Sequence, residues 1–308
     1  MAETKKDDLM LDSGTNELEL MEFVIADRHF GINVAKVVEI MQHQPVTPMP
    51  NSNPYVEGVF KPRDRIVTVI DLATFLGLPA SEDPEHDILI LTHFNQINNA
   101  FHVHSVEAIH RISWAEIEKP DSAIYGGEDA LATGITRIDG RLVTIIDFEK
   151  IIAEINPFSS IQVSDIEKLG GRTRNEHPII IAEDSPLLER LILDSLNQAG
   201  YTNVTVCSNG KEAWELLEKI KESADNISSK VSCLITDIEM PQMDGHHLIK
   251  LIRDDRSLKD LPCVIFSSLI NDEMRVKGAA AGANAQLSKP DIVHLVHIVD
   301  GLVSQSAS

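Results

Sequence analysis

Five short apolar runs in the second half of the chain, set apart by amphipathic stretches, leave few folds open to it. The runs are Ile179–Ala182, Val204–Cys207, Cys233–Thr236, Cys263–Ser267 and Ala285–Ser288, each of strand length and bounded by turn or polar residues. Between them, apolar residues recur at helical spacing: Leu188, Leu191, Ile192 and Leu196; Ala213, Leu216, Leu217 and Ile220; Leu248, Leu251 and Ile252. A last stripe follows with Ile292, Leu295, Val296, Val299 and Val303. Strands alternating with helices predict a parallel, doubly wound α/β sheet. Runs such as Cys233-Leu-Ile lack clean alternation, as expected of strands covered on both faces.

In such a sheet ligands gather at the carboxyl ends of the strands. Those ends carry Glu183-Asp184, Asp237, Ser267-Ser268 and Lys289-Pro290. Taken singly, each has an ordinary explanation: Asp184 as a helix N-cap, Ser267 as a turn residue, Lys289 as a solvated lysine. Together they place three carboxylates, a hydroxyl and an ammonium at one end of one sheet. Clustered carboxylates repel unless a cation sits among them, and Mg²⁺ suits a pocket of one or two carboxylates, waters and phosphate oxygens. An aspartate beside such an ion can act as nucleophile toward a phosphoryl group, with the lysine and hydroxyl neutralising the transferred oxygens.

The segments Ile179-Ile-Ile-Ala-Glu-Asp-Ser, Thr236-Asp-Ile-Glu-Met-Pro-Gln-Met-Asp-Gly245, Phe266-Ser-Ser and Ser288-Lys-Pro290 resemble a two-component receiver domain. The resemblance implies a flavodoxin-like (βα)5 fold with Asp237 as phosphoacceptor. It also implies Mg²⁺ held by Glu183, Asp184, Asp237 and the backbone carbonyl of Glu239. Ser267 would be the switch hydroxyl, Lys289 the phosphate-pairing lysine, and Lys289-Pro290 a cis peptide. Two positions depart from the family pattern. Glu183 stands where the first acidic residue is usually Asp, and Gln286 replaces the aromatic that usually rotates with the switch hydroxyl.

The first half has a different period. Leu20–Ile25, Ile66–Ile70, Ile88–Thr92 and Leu142–Ile146 read as strands, with short helical stretches expected at Ala35–Met41 and Leu72–Leu76. Gly58–Asp71 aligns without gaps with Gly134–Asp147, and Phe30–Val38 more loosely with Phe101–Ile109. Two copies of one supersecondary unit explain this best. No Gly-rich phosphate loop or nucleophile–base signature occurs here. His86, His93, His102, His104 and His110 fall in no metal-ligand spacing, and packing is the expected role of His102 and His104.

These readings divide the 308 residues into a polar, disordered lead (1–17), a β-rich domain (18–155), a turn-rich linker (156–177) and the α/β domain (178–305). The net charge of −21 argues against a nucleic-acid partner, since phosphate backbones are held by clustered Lys and Arg. No apolar stretch approaches the ~20 residues of a membrane span, and the lead has no signal-peptide core. A cytoplasmic protein without direct membrane insertion is expected. The three cysteines, in apolar runs and without CxxC spacing, are expected to be buried free thiols.

Phe23–Ile32, Val37-Val-Glu-Ile40 and Gly58–Leu72 resemble the chemotaxis coupling (CheW-like) domain. That resemblance implies a pair of five-stranded SH3-like barrels that bind chemoreceptor cytoplasmic tips and the chemotaxis histidine kinase. Val37, Glu39, Gly58 and Arg63 fall where the family's contacts cluster, although its Asn-Leu-Arg-Gly is Lys61-Pro-Arg-Asp64 here. A coupling domain followed by a receiver is similar to the CheV family. The implied function is a non-catalytic adaptor that couples receptors to the kinase and is regulated by the kinase through phosphorylation of Asp237, in the service of adaptation. The alternative is a phosphate sink that drains phosphoryl groups from the kinase.

Overall fold

The computed structural model describes residues 15–63, 65–94, 97–119, 131–156, 172–223 and 227–306. Its first part contains β1 (Glu17–Ile25), β2 (Arg28–Asn33), β3 (Val37–Gln42), β4 (Val56–Phe60), β5 (Val67–Asp71) and the short α1 (Leu72–Phe75). Then come β6 (Ile88–Phe94), β7 (Ile97–Val103), β8 (Ser105–Ser113), β9 (Ala132–Ile138), β10 (Arg141–Ile146) and α2 (Phe148–Ile155). They form two five-stranded sheets, ordered β8-β1-β2-β10-β9 and β3-β6-β7-β5-β4. The strand orders are equivalent if β1–β5 correspond to β6–β10, so the sequence repeat is a structural one.

The copies do not fold separately, however. Each sheet joins the first two strands of one copy to the last three of the other, through the parallel pairs β2–β10 and β5–β7 and the antiparallel pairs β1–β8 and β3–β6. This exchange buries both faces of the shared strands. On β5 and β6, Val67, Val69, Leu89 and Leu91 fill their own sheet's interior, while Ile70 and Ile90 point into a core common to both sheets. β10 divides likewise, Val143 and Ile145 against Ile146, as a period of two requires. The repeated aspartates have a local reason: Asp71 and Asp147 each cap the helix that follows, accepting from the amides of Thr74 and Lys150.

The expected helix over Ala35–Met41 is corrected. Only Val34–Lys36 makes a single 3-10 turn, capped by Asn33, and Val37–Gln42 is the edge strand β3. Its β-branched residues alternate in exposure, with Val38 and Ile40 outward, which is strand and not helix periodicity.

The second part contains β11 (Ile179–Ala182), α3 (Pro186–Gln198), β12 (Val204–Cys207), α4 (Gly210–Ser223), β13 (Cys233–Thr236), α5 (Gly245–Asp254), β14 (Cys263–Ser267), α6 (Asp272–Ala281), β15 (Ala285–Ser288) and α7 (Ile292–Ser306). The sheet is parallel throughout, ordered β12-β11-β13-β14-β15. Ile179, Ile181, Cys233 and Ile235 face α3 and α7, while Ile180, Ala182 and Leu234 face α4 and α5. The buried stripe of helix α6 is Met274, Gly278 and Ala281, too small to register in the sequence as an amphipathic pattern. All three cysteines are buried and free.

Residues 1–14 of the expected lead and 157–171 of the expected linker lie outside the described residues. Residues 172–177 run along the α/β domain: Arg172 bonds Asp300 at 2.6 Å, and Asn175 pairs with Tyr201. No described helix is long and apolar enough to cross a membrane.

Candidate functional site

The polar strand ends converge because Glu183, Asp237 and Lys289 each stand one step beyond a strand of the parallel sheet while the backbone still bonds the neighbouring strand. Asp237 N donates to Ala182 O at 3.0 Å, Glu183 N to Cys207 O at 3.0 Å and Lys289 N to Ser267 O at 3.0 Å. Strand register therefore fixes their relative positions. Lys289 Nζ lies 2.7 Å from Asp237 Oδ2 and 2.9 Å from Glu183 Oε2. Asp237 Oδ1 accepts from the amide of Ile238 at 2.6 Å. All three side chains are buried, as is Ser267, and the Lys289-Pro290 peptide is cis.

The segment after Asp237 is shaped by two of its own residues. Asp244 caps α5 through the amide of His247 at 2.8 Å. Gly245 passes so close to Asp237 that a Cβ there would stand 1.9 Å from its carbonyl oxygen, so only glycine fits.

Carboxylate oxygens of Glu183, Asp184 and Asp237 lie within 4.8 Å of one another. Burial, together with the charge of Asp237, pushes the Glu183 and Asp184 carboxyls well above their usual range. Burial would pull Lys289 down, but Asp237 and Glu183 hold its ammonium well above its ordinary value. An all-oxygen, carboxylate-rich pocket with unfavourable charge density fits a hard divalent cation such as Mg²⁺. Ser267 Oγ accepts from the amide of Leu269 at 3.2 Å. Gln286 donates to the carbonyl of Arg275 at 2.8 Å, which ties it to α6 where the family's aromatic would rotate.

The first domain covers this pocket. Lys36 Nζ reaches across to Glu239 at 2.6 Å and lies 3.6 Å from Glu149. Asn33 donates to Glu239 at 2.7 Å, Ser268 Oγ to Glu149 in a short bond, and Lys119 to the carbonyl of Asp184 at 3.3 Å. A second row seals the edge: Gln242 N donates to Trp114 O at 2.8 Å, Asn16 Nδ2 to Gln242 O at 3.0 Å, and Asp244 N to Asn16 Oδ1 at 3.0 Å. What remains over Asp237 is a cavity of about 50 Å³ lined by both domains. Burial is opposed by Glu239 and Glu149, which hold Lys36 well above its usual value. Burial also raises the Glu239 and Asp147 carboxyls.

The polar strand ends are legible in the sequence, whereas Asn33, Lys36, Asp147 and Glu149 are not. Nothing in the local pattern marks them, because their partners lie in the other domain. The expected coupling residues cluster on the second sheet. Val37 opens β3, Glu39 pairs with the largely exposed Arg63 at 3.2 Å, and Gly58 lies on β4. Gly58 has φ +154, and a Cβ there would meet Thr47 O at 2.3 Å.

Residues 19–156 match the CheW-like domain family, and residues 179–300 match the response regulator receiver domain family. The chain is 29% identical over 320 residues to the chemotaxis protein CheV3 of Helicobacter pylori, with both chains covered in full. It is 32% identical over 112 residues to the chemotaxis protein CheY1 of that organism, covering 36% of this chain and 84% of the relative. It is 28% identical over 145 residues to the chemotaxis protein CheW of Thermotoga maritima, covering 47% of this chain and 94% of the relative. Fold and matches together define a two-domain chemotaxis protein, a CheW-like domain joined to a receiver. The chain belongs to the CheV family.

Proposed function

We propose that this chain is an adaptor that couples chemoreceptor tips to the chemotaxis histidine kinase on the cytoplasmic side of receptor arrays. In this reading Asp237 accepts a phosphoryl group from the kinase's phosphohistidine. Glu183, Asp184, Asp237 and the carbonyl of Glu239 hold Mg²⁺, which supplies charge neutralisation for the transferred oxygens. Lys289 pairs with the phosphate, and Ser267 answers its arrival. Val37, Glu39, Gly58 and Arg63 belong to the surface that meets receptor or kinase.

The observation that carries the reading is the cover over the acceptor. Asp237 is only 5% exposed, beneath a lid held by Lys36 between Glu239 and Glu149. A phosphoryl group adds about −1.5 to −2 charges, and it would do so among Asp147, Glu149 and Asp184. The docked arrangement then loses stability, and the coupling domain is released from the receiver. Phosphorylation is thereby converted into a change in how the first domain is presented, which weakens kinase activation as adaptation requires. A phosphate sink calls for fast, open access to the acceptor, which a covered Asp237 does not favour.

Reconstituted receptor–kinase arrays test the proposal. Kinase output should fall as the wild-type chain becomes phosphorylated and should stay high with Asp237→Ala. Equal output from the two proteins under phosphorylating conditions would overturn it.

A further inference from the structure

In the second sheet, three segments distant in sequence bring His43, Glu57 and His102 together, far along the chain from the acidic pocket's residues. His43 follows the edge strand β3, Glu57 lies on the opposite edge strand β4, and His102 lies on the central strand β7. Their candidate ligand atoms all lie within 4.8 Å of one another. His43 Nε2 is 3.2 Å from Glu57 Oε2, His102 Nδ1 makes a short contact with Glu57 Oε1, and the two rings sit 4.5 Å apart. The three side chains are between 13% and 19% exposed, so the cluster is shielded yet within reach of solvent.

The other nitrogen of His102 decides what the cluster is suited to. Nε2 lies 2.8 Å from Oδ2 of the buried Asp87. Asp87 is itself fixed, accepting from Ser81 Oγ at 2.7 Å, and its backbone carbonyl accepts from the amide of His43 at 2.8 Å. A histidine that donates one ring N–H to a buried carboxylate presents the lone pair of its other nitrogen. Here Nδ1 faces a second carboxylate, so that position calls for a cation, either a proton that makes His102 an imidazolium or a metal ion that displaces it. A carboxylate behind a ligating imidazole is also the usual support of a metal-bound histidine.

We propose that His43, Glu57 and His102 form a binding site for a borderline divalent transition metal of the Zn²⁺ class, with Asp87 orienting His102. Two imidazoles and a carboxylate are the donor types such ions take, and three protein ligands leave one position for water or a partner's side chain. Mg²⁺ prefers oxygen donors, so the site is chemically distinct from the acidic pocket. Its position gives the ion a structural role. The chain leaving β3 closes onto β4 at the bridge between Thr47 and Val59, and a metal held by His43 and Glu57 would cross-link the same seam. Glu57 adjoins Gly58, so the ion would stiffen the edge on which the expected coupling residues lie.

The test is a Zn²⁺ titration of the untagged, metal-free full-length chain by calorimetry, with Mg²⁺ in excess to saturate the acidic pocket. Co²⁺ serves as an optical probe of nitrogen ligation. One Zn²⁺ per chain should bind despite the Mg²⁺, and Co²⁺ should give the intense visible bands of a low-coordinate site. Glu57→Gln, His43→Ala and His102→Ala should each abolish the event, and Asp87→Asn should weaken it by about 10–100-fold. Asp237→Asn should leave it unchanged. Glu57→Gln keeps hydrogen-bonding capacity, so it decides the matter if a histidine variant fails to fold. Absence of the binding event in the wild type would overturn the proposal. So would its persistence in Glu57→Gln, or its loss in Asp237→Asn.

Discussion

Lys36→Met removes the ammonium that bridges the domains while keeping most of the stem that packs beneath it. The groups concerned are well shielded, with side-chain exposures of 11% for Lys36, 13% for Glu239 and 10% for Glu149. Taking one partner from a buried pair costs about 3–5 kcal/mol, because the remaining charge is left uncompensated. In this protein the cost falls on the docked state alone, since Glu239 and Glu149 regain water once the domains part. At about 1.4 kcal/mol per factor of ten, even the lower figure moves the docking equilibrium roughly 100-fold toward the open form. The assay is the rate of phosphotransfer from the kinase's phosphohistidine to Asp237, read beside the radius of gyration from solution scattering. The variant should be phosphorylated at least about tenfold faster and should be more extended. Lys36→Arg, which keeps the charge, should remain near wild type. If Lys36→Met changes neither rate nor scattering, the cover does not control access to the acceptor.

Raised carboxyls in the acidic pocket imply a pH-dependent effect of Mg²⁺. Glu183 and Asp184 sit above their unfolded values, so without metal their contribution to stability is present below about pH 4 and is lost as pH rises through the raised values. Mg²⁺ should therefore raise Tm more at pH 8 than at pH 5, as differential scanning calorimetry can show; an equal shift at both would contradict the assignment. Gly245→Ala should distort the turn at Asp237 and cost at least about 1–3 kcal/mol by overpacking, with a drop in urea midpoint and slower phosphorylation. Arg63→Ala should leave the urea midpoint within about 0.5 kcal/mol, as exposed pairs do, while lowering affinity for receptor or kinase in a pull-down with purified partners. Trp114, whose carbonyl accepts from Gln242 across the interface, should change its fluorescence when beryllofluoride and Mg²⁺ are added, and Trp214→Phe should retain that change.

Asp237 was legible in the sequence because a parallel strand carries its chemistry at its end. Five apolar runs and four apolar stripes specify the doubly wound sheet, and the sheet's geometry then brings Glu183, Asp184, Asp237, Ser267 and Lys289 together at the carboxyl ends of its strands. The internal repeat was equally plain, since period-two strands with matching Asp caps write themselves into the sequence twice. Tertiary structure alone decided the rest. The exchange of strands between the two sheets cannot be read from a repeat, because swapped and unswapped copies bury the same residues. His102 read as a packing residue because Glu57 and Asp87, which flank its ring, come from other strands. Lys36 read as part of a helix, and only the approach of the second domain makes it the cation facing Glu239. Local pattern records which face of an element is buried, not which distant charge will meet it there.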